Sequence, residues 1–333
     1  MLLYKMKILV TGGLGFIGSN FILKILSKFP DYKITNIDAC FSGSNPKNLE
    51  ILSKSKQYSF VKGNISNSTL IDELISENDV VINFAAESHV DRSISNPKPF
   101  LDTNIFGVYT ILESLRKFKK KLIQISTDEV YGSLTQGSAH ENFPLNPSSP
   151  YSSSKASAEL LANSYHITYD LDIIITRCTN NYGPRQFPEK LIPKTILLAY
   201  QNKKIPIYGK GTNIRDWIFV DDHCNAILNI LSNGKSGNSY NISANNEVDN
   251  ITIVKKILSI MDKNEDLIEF VEDRPGHDFR YSLDSSKIRK ELGWSQNTDF
   301  EAGLTKTVQW YLENKSWWEN LSKDSLGSTP WKN

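Results

Sequence analysis

A phenol and an ammonium stand four residues apart in Tyr151-Ser152-Ser153-Ser154-Lys155, an interval that puts both on one face of a helix. A cation beside a phenol favours the phenolate, which makes Tyr151 a candidate general base below its ordinary range. Upstream, two carboxylates adjoin in Ser126-Thr127-Asp128-Glu129-Val130-Tyr131-Gly132. Oxidation at a single carbon requires only the Tyr and Lys pair, so an added acid and base point to further proton transfers, such as the removal of water. The plain alternatives are an exposed Tyr and Lys on a helix face and a solvated acidic pair in a loop. A third pattern, Thr11-Gly12-Gly13-Leu14-Gly15-Phe16-Ile17-Gly18, spaces Gly12, Gly15 and Gly18 ahead of a helix. Such glycines let the backbone turn tightly and approach a pyrophosphate at the helix N-terminus.

These groups must be carried by a scaffold, and the apolar runs supply one. Lys7–Val10, Ile34–Ile37, Ser59–Val61, Val80–Asn83, Leu122–Ser126 and Ile173–Arg177 read as strands. Between them, Ile17–Phe29, Pro99–Phe118 and Ser152–Tyr169 carry helical spacing, with Pro99 suited to a first turn. The rhythm is βαβ, hence a doubly wound parallel sheet of Rossmann-like α/β type that binds ligands beyond its carboxyl ends. Asp38 closes the second strand at roughly the 20-residue spacing after the glycines expected of a ribose-binding acid. A carboxylate there repels a 2′-phosphate, and Ala39-Cys40-Phe41 offer no arginine to receive one, which favours NAD over NADP. The alternative for Asp38 is a plain loop-entry residue.

After about Cys178 the pattern turns to loops at Asn180–Pro188, Pro206–Thr212 and Asp273–His277, with short helices near Leu191–Gln201 and Asp221–Leu231. Leu304–Leu312 reads as a last amphipathic helix, and the tail from Trp317 carries weak signals. The expected division is a cofactor domain over 1–178, rejoined by about 216–243, and a smaller substrate lobe over 179–215 and 244–333. Met6 opens the first strand, so the residues before it read as an alternative start or a short extension.

The 333 residues carry 38 basic and 37 acidic side chains, net +1, so no global charge recruits nucleic acid or an anionic membrane. No apolar stretch reaches membrane-spanning length. Cys40, Cys178 and Cys224 form no C-x-x-C pair, which speaks for a reduced, cytoplasmic setting and against a disulfide framework. The five histidines are scattered, and no metal site is expected.

The order of fifth strand, Ser126-Thr127 and Tyr151–Lys155 resembles the extended short-chain dehydrogenase/reductase superfamily, in which Thr127 would take the hydroxyl role beside Tyr151 and Lys155 would hold the nicotinamide ribose. The segment Ser126–Gly132 closely resembles the dTDP-glucose 4,6-dehydratase family. So do Ala85-Ala86-Glu87-Ser88-His89-Val90-Asp91-Arg92-Ser93, Asn180-Asn181-Tyr182-Gly183-Pro184, Pro188-Glu189-Lys190-Leu191-Ile192-Pro193, Pro206-Ile207-Tyr208-Gly209-Lys210-Gly211, Arg215-Asp216-Trp217 and Asp273-Arg274-Pro275-Gly276-His277-Asp278. The resemblance runs from about Met6 to Trp310.

It implies a lyase that oxidises C4 of a nucleoside-diphosphate glucose, removes water across C5–C6 and returns hydride to C6. Tyr151 would take the C4 hydroxyl proton, Glu129 the C5 proton, and Asp128 would protonate the leaving C6 hydroxyl. Phe16, Ile17, Asn64, Ile65, Ala85, Ala86, Thr103 and Asn181 would border NAD, while Ser88 and Thr127 face the sugar. Asn180, Lys190, Leu191, Pro206, Tyr208, Asn250 and His277 would line the nucleotide-sugar site, with Tyr208 beside the base. Arginine is scarce, 8 of the 38 basic residues, so Arg215 and Arg274 inside motifs stand out as bidentate contacts to the diphosphate. Relatives also pair the helices Pro99–Phe118 and Ser152–Tyr169 into a homodimer. Two departures concern the adenosine end: Asn64 replaces the family's aspartate, and Ala39-Cys40-Phe41-Ser42 replaces a lysine-leucine-threonine-tyrosine run. Rival readings are a nucleotide-sugar epimerase or decarboxylase, against which the Asp128-Glu129 pair argues, and a non-catalytic NAD-binding module.

Overall fold

The computed structural model describes residues 5–319 together with Leu321 and Leu326. Of the two candidate starts, Met6 is described and Met1 lies outside the described residues. The first half alternates as its apolar runs require: β1 (Lys7–Thr11), α1 (Phe16–Lys28), β2 (Lys33–Asp38), β3 (Tyr58–Lys62), α2 (Ser68–Glu77), β4 (Val80–Asn83), α3 (Val90–Ser95), α4 (Lys98–Leu101), α5 (Val108–Phe118), β5 (Lys121–Thr127), α6 (Pro150–Tyr169) and β6 (Ile173–Cys178). There follow β7 (Asn180–Tyr182), α7 (Leu191–Tyr200), β8 (Ile205–Tyr208), β9 (Ile214–Phe219), α8 (Val220–Asn233), β10 (Ser239–Ile242), β11 (Glu247–Asp249), α9 (Asn250–Ile260), β12 (Ile268–Val271), α10 (Ser286–Leu292), α11 (Phe300–Glu313) and α12 (Lys315–Trp318).

Seven strands form one parallel sheet in the order β3-β2-β1-β4-β5-β6-β10. The inner strands β1, β4, β5 and β6 are buried on both faces and rich in Ile, Leu and Val, as a doubly covered parallel sheet demands, while β3 at the edge is largely exposed. One face packs Phe21, Ile22 and Ile25 of α1 with Ile227 and Leu231 of α8. The other packs α2, α5 and α6 through Ile71, Leu112, Leu115 and Ala162. The sheet is the expected Rossmann-like α/β layer, and its direction of progression reverses between β1 and β4, which opens a crevice at the carboxyl ends.

Several expectations change on contact with the structure. Pro99–Phe118 is helical throughout, as its spacing requires, but the run widens into a π-helical turn over Asp102–Gly107 between α4 and α5. Buried Asn104 in that turn donates to the Ser154 hydroxyl of α6 (2.8 Å) and to the Glu87 carbonyl (3.0 Å), and it accepts from the Glu87 amide (2.9 Å). The wide turn therefore serves the site side of the helix. Two stretches read as loops contain strands. Asn180–Tyr182 pairs with β9, and Ile205–Tyr208 pairs with β12, so a three-stranded and a two-stranded sheet stand beside the large one. Leu304–Leu312 lies in α11 and is not the last helix. α12 buries Trp317 and Trp318, and the Trp317 indole donates to Asn48 Oδ1 (2.7 Å), tying this end back to the first half.

Candidate active site

The carboxylate turn begins where β5 ends. Thr127 caps it, its hydroxyl accepting from the Glu129 amide (3.3 Å) and donating to Asp128 Oδ1 (3.1 Å), and a 3₁₀ turn carries Asp128–Tyr131. The turn stops at Gly132, whose φ of +73° suits glycine and where a Cβ would lie 2.2 Å from the Asn146 carbonyl. Asp128 is buried, and Oδ2 has no protein partner. Burial, then the charge of Glu129, holds its carboxyl well above the usual carboxylate range. Glu129 is also raised by burial, but Arg274 and then Arg215 pull it back toward its charged form. Both acids are thus raised, Asp128 further than Glu129, and a difference of that sign suits Asp128 to giving a proton and Glu129 to taking one.

α6 delivers the other pair. Its start is fixed by a capping box between Ser149 and Ser152 with Pro150 in the first turn. The Tyr151 amide donates to the Ser93 hydroxyl (3.2 Å), and its ring meets Phe100 edge-on at 6.3 Å. The expected phenolate is corrected here. Burial and then Glu129 raise the Tyr151 phenol well above its usual range, with the Thr127 hydroxyl as the opposing contact. The reason is geometric: the Lys155 ammonium lies on the Ile125 carbonyl at 2.6 Å instead of relieving the phenol. Burial also brings Lys155 down to about 8, with Glu159 one turn further along opposing it.

The glycine loop fits a pyrophosphate. Gly12 has φ +68°, and a Cβ there would lie 2.7 Å from the Ala85 backbone. α1 starts with no side-chain cap and no acidic residue in its first turn, so its first amides remain for an anion. Asp38 stands beside them, yet three protein donors already hold it: Leu14 N (3.0 Å), Cys40 N (2.8 Å) and Ser44 Oγ (2.8 Å). About one of the roughly four acceptor positions of a carboxylate is left for a ribose. Asn64 uses Oδ1 on the Ser66 amide (2.9 Å), which leaves its amide hydrogens for a base. In the departing loop, Ser42 accepts from Arg92, which also pairs with Glu189 (2.5 Å).

Two cavities gather the expected residues. One of about 300 Å³ is lined by Gly12, Gly15, Phe16, Ile17, Gly18, Asp38, Asn64, Ile65, Ala85, Ala86, Ser88, Thr103, Thr127, Asp128, Tyr151, Lys155 and Asn181. A second of about 180 Å³ is lined by Leu191, Pro206, Tyr208, Arg215, Asn250, Arg274 and His277, and Glu129, Asn180 and Lys190 border both. In the second, Arg215 lies 4.3 Å over the Tyr281 ring, and its guanidinium donates to the carbonyls of Ile214 (2.7 Å), Asp278 (2.9 Å) and Phe279 (3.2 Å). Of its five hydrogens, only the remaining edge can serve a diphosphate. Arg274 pairs with Asp91 at 2.6 Å, and its Nε is buried without a partner. Burial, then Arg274 and Arg215, lowers His277 to about 4, so it is neutral there.

Sequence reasoning missed Asp91, Glu189, Lys194 and Tyr281, all on the second cavity. Asp91 and Glu189 lay inside quoted motif strings; for Lys194 and Tyr281 no local signal existed. Among the described residues no group of three potential metal ligands assembles, and no helix is long and apolar enough to cross a membrane.

With this geometry in place, comparison with known proteins is informative. The family model for GDP-mannose 4,6 dehydratase matches residues 9–307. A dTDP-glucose 4,6-dehydratase of Streptomyces niveus is 43% identical over 98% of both chains. The solved dTDP-glucose 4,6-dehydratase of Bacillus anthracis, in complex with NAD, is 48% identical over 95% of this chain and 100% of its own, with a TM-score of 0.90. DesIV of Streptomyces venezuelae, a dTDP-glucose 4,6-dehydratase with NAD and TYD bound, is 42% identical over the same shares, with a TM-score of 0.93.

Proposed function

The chain belongs to the GDP-mannose 4,6 dehydratase family, with dTDP-glucose 4,6-dehydratases among its relatives, and from that membership we propose that it is a hydro-lyase converting dTDP-glucose to the 4-keto-6-deoxy sugar. The observation that carries this reading is the adjacency of two carboxyls where β5 ends, both raised by burial, of which Asp128 is the more strongly raised and Glu129 alone faces Arg274 and Lys190. Elimination of water uses an acid and a base at once.

The glycine loop at Gly12–Gly18 holds the pyrophosphate of NAD, Asp38 and Asn64 its adenosine end, and Lys155 its nicotinamide ribose. When bound, NAD accepts the hydride of C4 and returns it to C6, so no net oxidation occurs. Tyr151, beside the Thr127 hydroxyl, takes the proton of the C4 hydroxyl once it has itself ionised against its burial. The ketone acidifies C5, whose proton passes to Glu129, and Asp128 gives its proton to the C6 hydroxyl, which leaves as water; Glu129 then returns a proton to C5 as C6 is reduced, and the proton taken at Tyr151 makes good, through solvent, the one Asp128 gave. Arg215, Arg274 and Lys190 face the diphosphate, and Pro206 and Tyr208 the base. In this reading 1–178 with 216–243 hold the cofactor, and 179–215 with 244–333 hold the nucleotide sugar.

Incubation of the protein with dTDP-, UDP-, GDP- and CDP-glucose, read by mass spectrometry, tests the substrate. Loss of one water from dTDP-glucose is expected. Turnover of a different nucleotide sugar alone, or of none, overturns the reading.

Because the cofactor must stay through both half-reactions, the purified protein is expected to carry NAD(H) through desalting. Denaturation that releases no nicotinamide speaks against it. A homodimer through Pro99–Phe118 and Ser152–Tyr169 completes the proposal, supported by exposed Phe106 (60%), Tyr109, Leu160 (62%) and Ile167 (71%) on these two segments. Sedimentation at micromolar concentration should give twice the chain mass, and a monomer counts against it. The three free thiols support a cytoplasmic setting.

A further inference from the structure

Asp91 lies in the first turn of α3 and is 4% exposed. Its two oxygens are divided between residues far away in sequence: Oδ1 receives Arg274 Nη1 at 2.6 Å, and Oδ2 accepts from the Tyr208 hydroxyl at 2.9 Å. Tyr208 ends β8 opposite Val271 of β12, and Arg274 follows β12 by three residues, so one carboxylate fastens the common end of that two-stranded sheet to α3. α3 also touches the catalytic helix, since Ser93 accepts from the Tyr151 amide. Asp91, Arg274, Tyr208 and Glu129 line the same cavity.

Two carboxylates, buried Asp91 and half-buried Glu129, therefore compete for one guanidinium, and Asp91 holds the direct contact. We propose that Asp91 is a positioning residue of the reaction: it keeps Arg274 on the nucleotide side of the cavity, with Nε aimed at the diphosphate, and off Glu129. The inference rests on the proposed dehydratase reading. Its electrostatic consequence follows from the neighbours. Glu129 faces Arg274, Arg215 and Lys190 as cations, Asp128 and Asp278 as acids, and the Tyr151 and Tyr281 phenols. Asp91 faces Arg274, Lys194, Tyr208 and His89, the last lowered to about 2 by burial and thus neutral. With Asp91 neutral, Arg274 loses its nearest anion, and Glu129 becomes the acid next in line. The guanidinium then favours the charged form of Glu129 more strongly and leaves the diphosphate.

The holoenzyme of Asp91→Asn tests this, with dTDP binding measured by calorimetry and kcat measured against pH on dTDP-glucose. Expected are dTDP binding weaker by about ten-fold, KM raised in parallel, and the acid limb of kcat moved down by about one pH unit, the size of one added neighbouring charge. Tyr208→Phe, which leaves the Asp91 charge in place, should weaken binding but keep the wild-type limb. If Asp91→Asn cannot be recovered folded, Asp91→Glu carries the test: it keeps the charge, so the limb should stay while KM rises. Unchanged dTDP affinity in Asp91→Asn, an unmoved limb, or a limb that moves in Tyr208→Phe or Asp91→Glu overturns the proposal. Wild-type protein that binds dTDP but does not turn over dTDP-glucose overturns the dehydratase reading instead, and the dTDP affinity of Asp91→Asn still decides the role of Asp91.

Discussion

Asp128→Asn or Glu129→Gln should slow formation of the 4-keto-6-deoxy sugar by about 10²–10⁴-fold, the usual contribution of a general acid or base, while oxidation at C4 persists. Asparagine nearly copies the shape of a protonated aspartate and can keep the contact with Thr127, but it has no proton to give a leaving hydroxyl. Glutamine cannot take a proton from C5. The two variants should differ at the earlier step. Glu129 is the foremost charge raising the Tyr151 phenol, so its neutralisation eases ionisation of Tyr151, and C4 oxidation in Glu129→Gln should be at least as fast as in the parent protein. A 4-keto-glucose nucleotide should accumulate in both, seen by mass spectrometry after rapid quench. Full dehydratase turnover in both variants would reduce the pair to bystanders.

Tyr151→Phe should suppress both stages by a similar factor, because without the C4 ketone the C5 proton is never acidified. Neither nicotinamide absorbance nor deuterium uptake at C5 should then change on mixing with substrate. The same site sets an alkaline limit. Burial brings Lys155 down to about 8, so its ammonium is present below that pH and lost above it, and activity should fall as pH rises through that value. Lys155→Arg stays charged throughout and should lack this limb whatever its absolute rate. Uptake of deuterium by Tyr151→Phe at the parent rate would sink the assignment.

Six of the seven strands of the large sheet were legible, the inner ones because a parallel strand buried on both faces must be a run of apolar residues, as in Ile173–Cys178, whereas β10, Ser239-Tyr240-Asn241-Ile242 at the edge, was not. Nor were β7 and β8. Asn180–Tyr182 and Ile205–Tyr208 are short, mixed in polarity and paired with segments far along the chain, so nothing local distinguishes them from loop. α9 opens on Ile251, Thr252, Ile253 and Val254, whose branched side chains weaken any helical preference, and it is held by tertiary packing of Ile253 and Ile257. At the site, the spacing of Tyr151 and Lys155 and the adjacency of Asp128 and Glu129 could be read directly. The substrate-side residues came through resemblance alone. The protonation of Tyr151 could not be read, since it depends on where the Lys155 amine lands and on the charge of Glu129. Asp91 was hidden for a related reason: its partners lie 117 and 183 residues away.

The order of strands in the large sheet also bears on how the chain is made. β10 completes the sheet beside β6, but Thr179–Asn238 lies between them in sequence and builds α7, α8 and the strands β7, β8 and β9 of the two smaller sheets first. During synthesis at about 5–20 residues per second, the β6 edge therefore stands open for several seconds after Cys178 has appeared. An open strand edge of Ile173, Ile174 and Ile175 is a template for pairing with another nascent chain. Fragments that stop short of Ser239 should aggregate even though every residue of the cofactor crevice up to Asn181 is present, whereas fragments that run past Ile242 close the edge and stay dispersed.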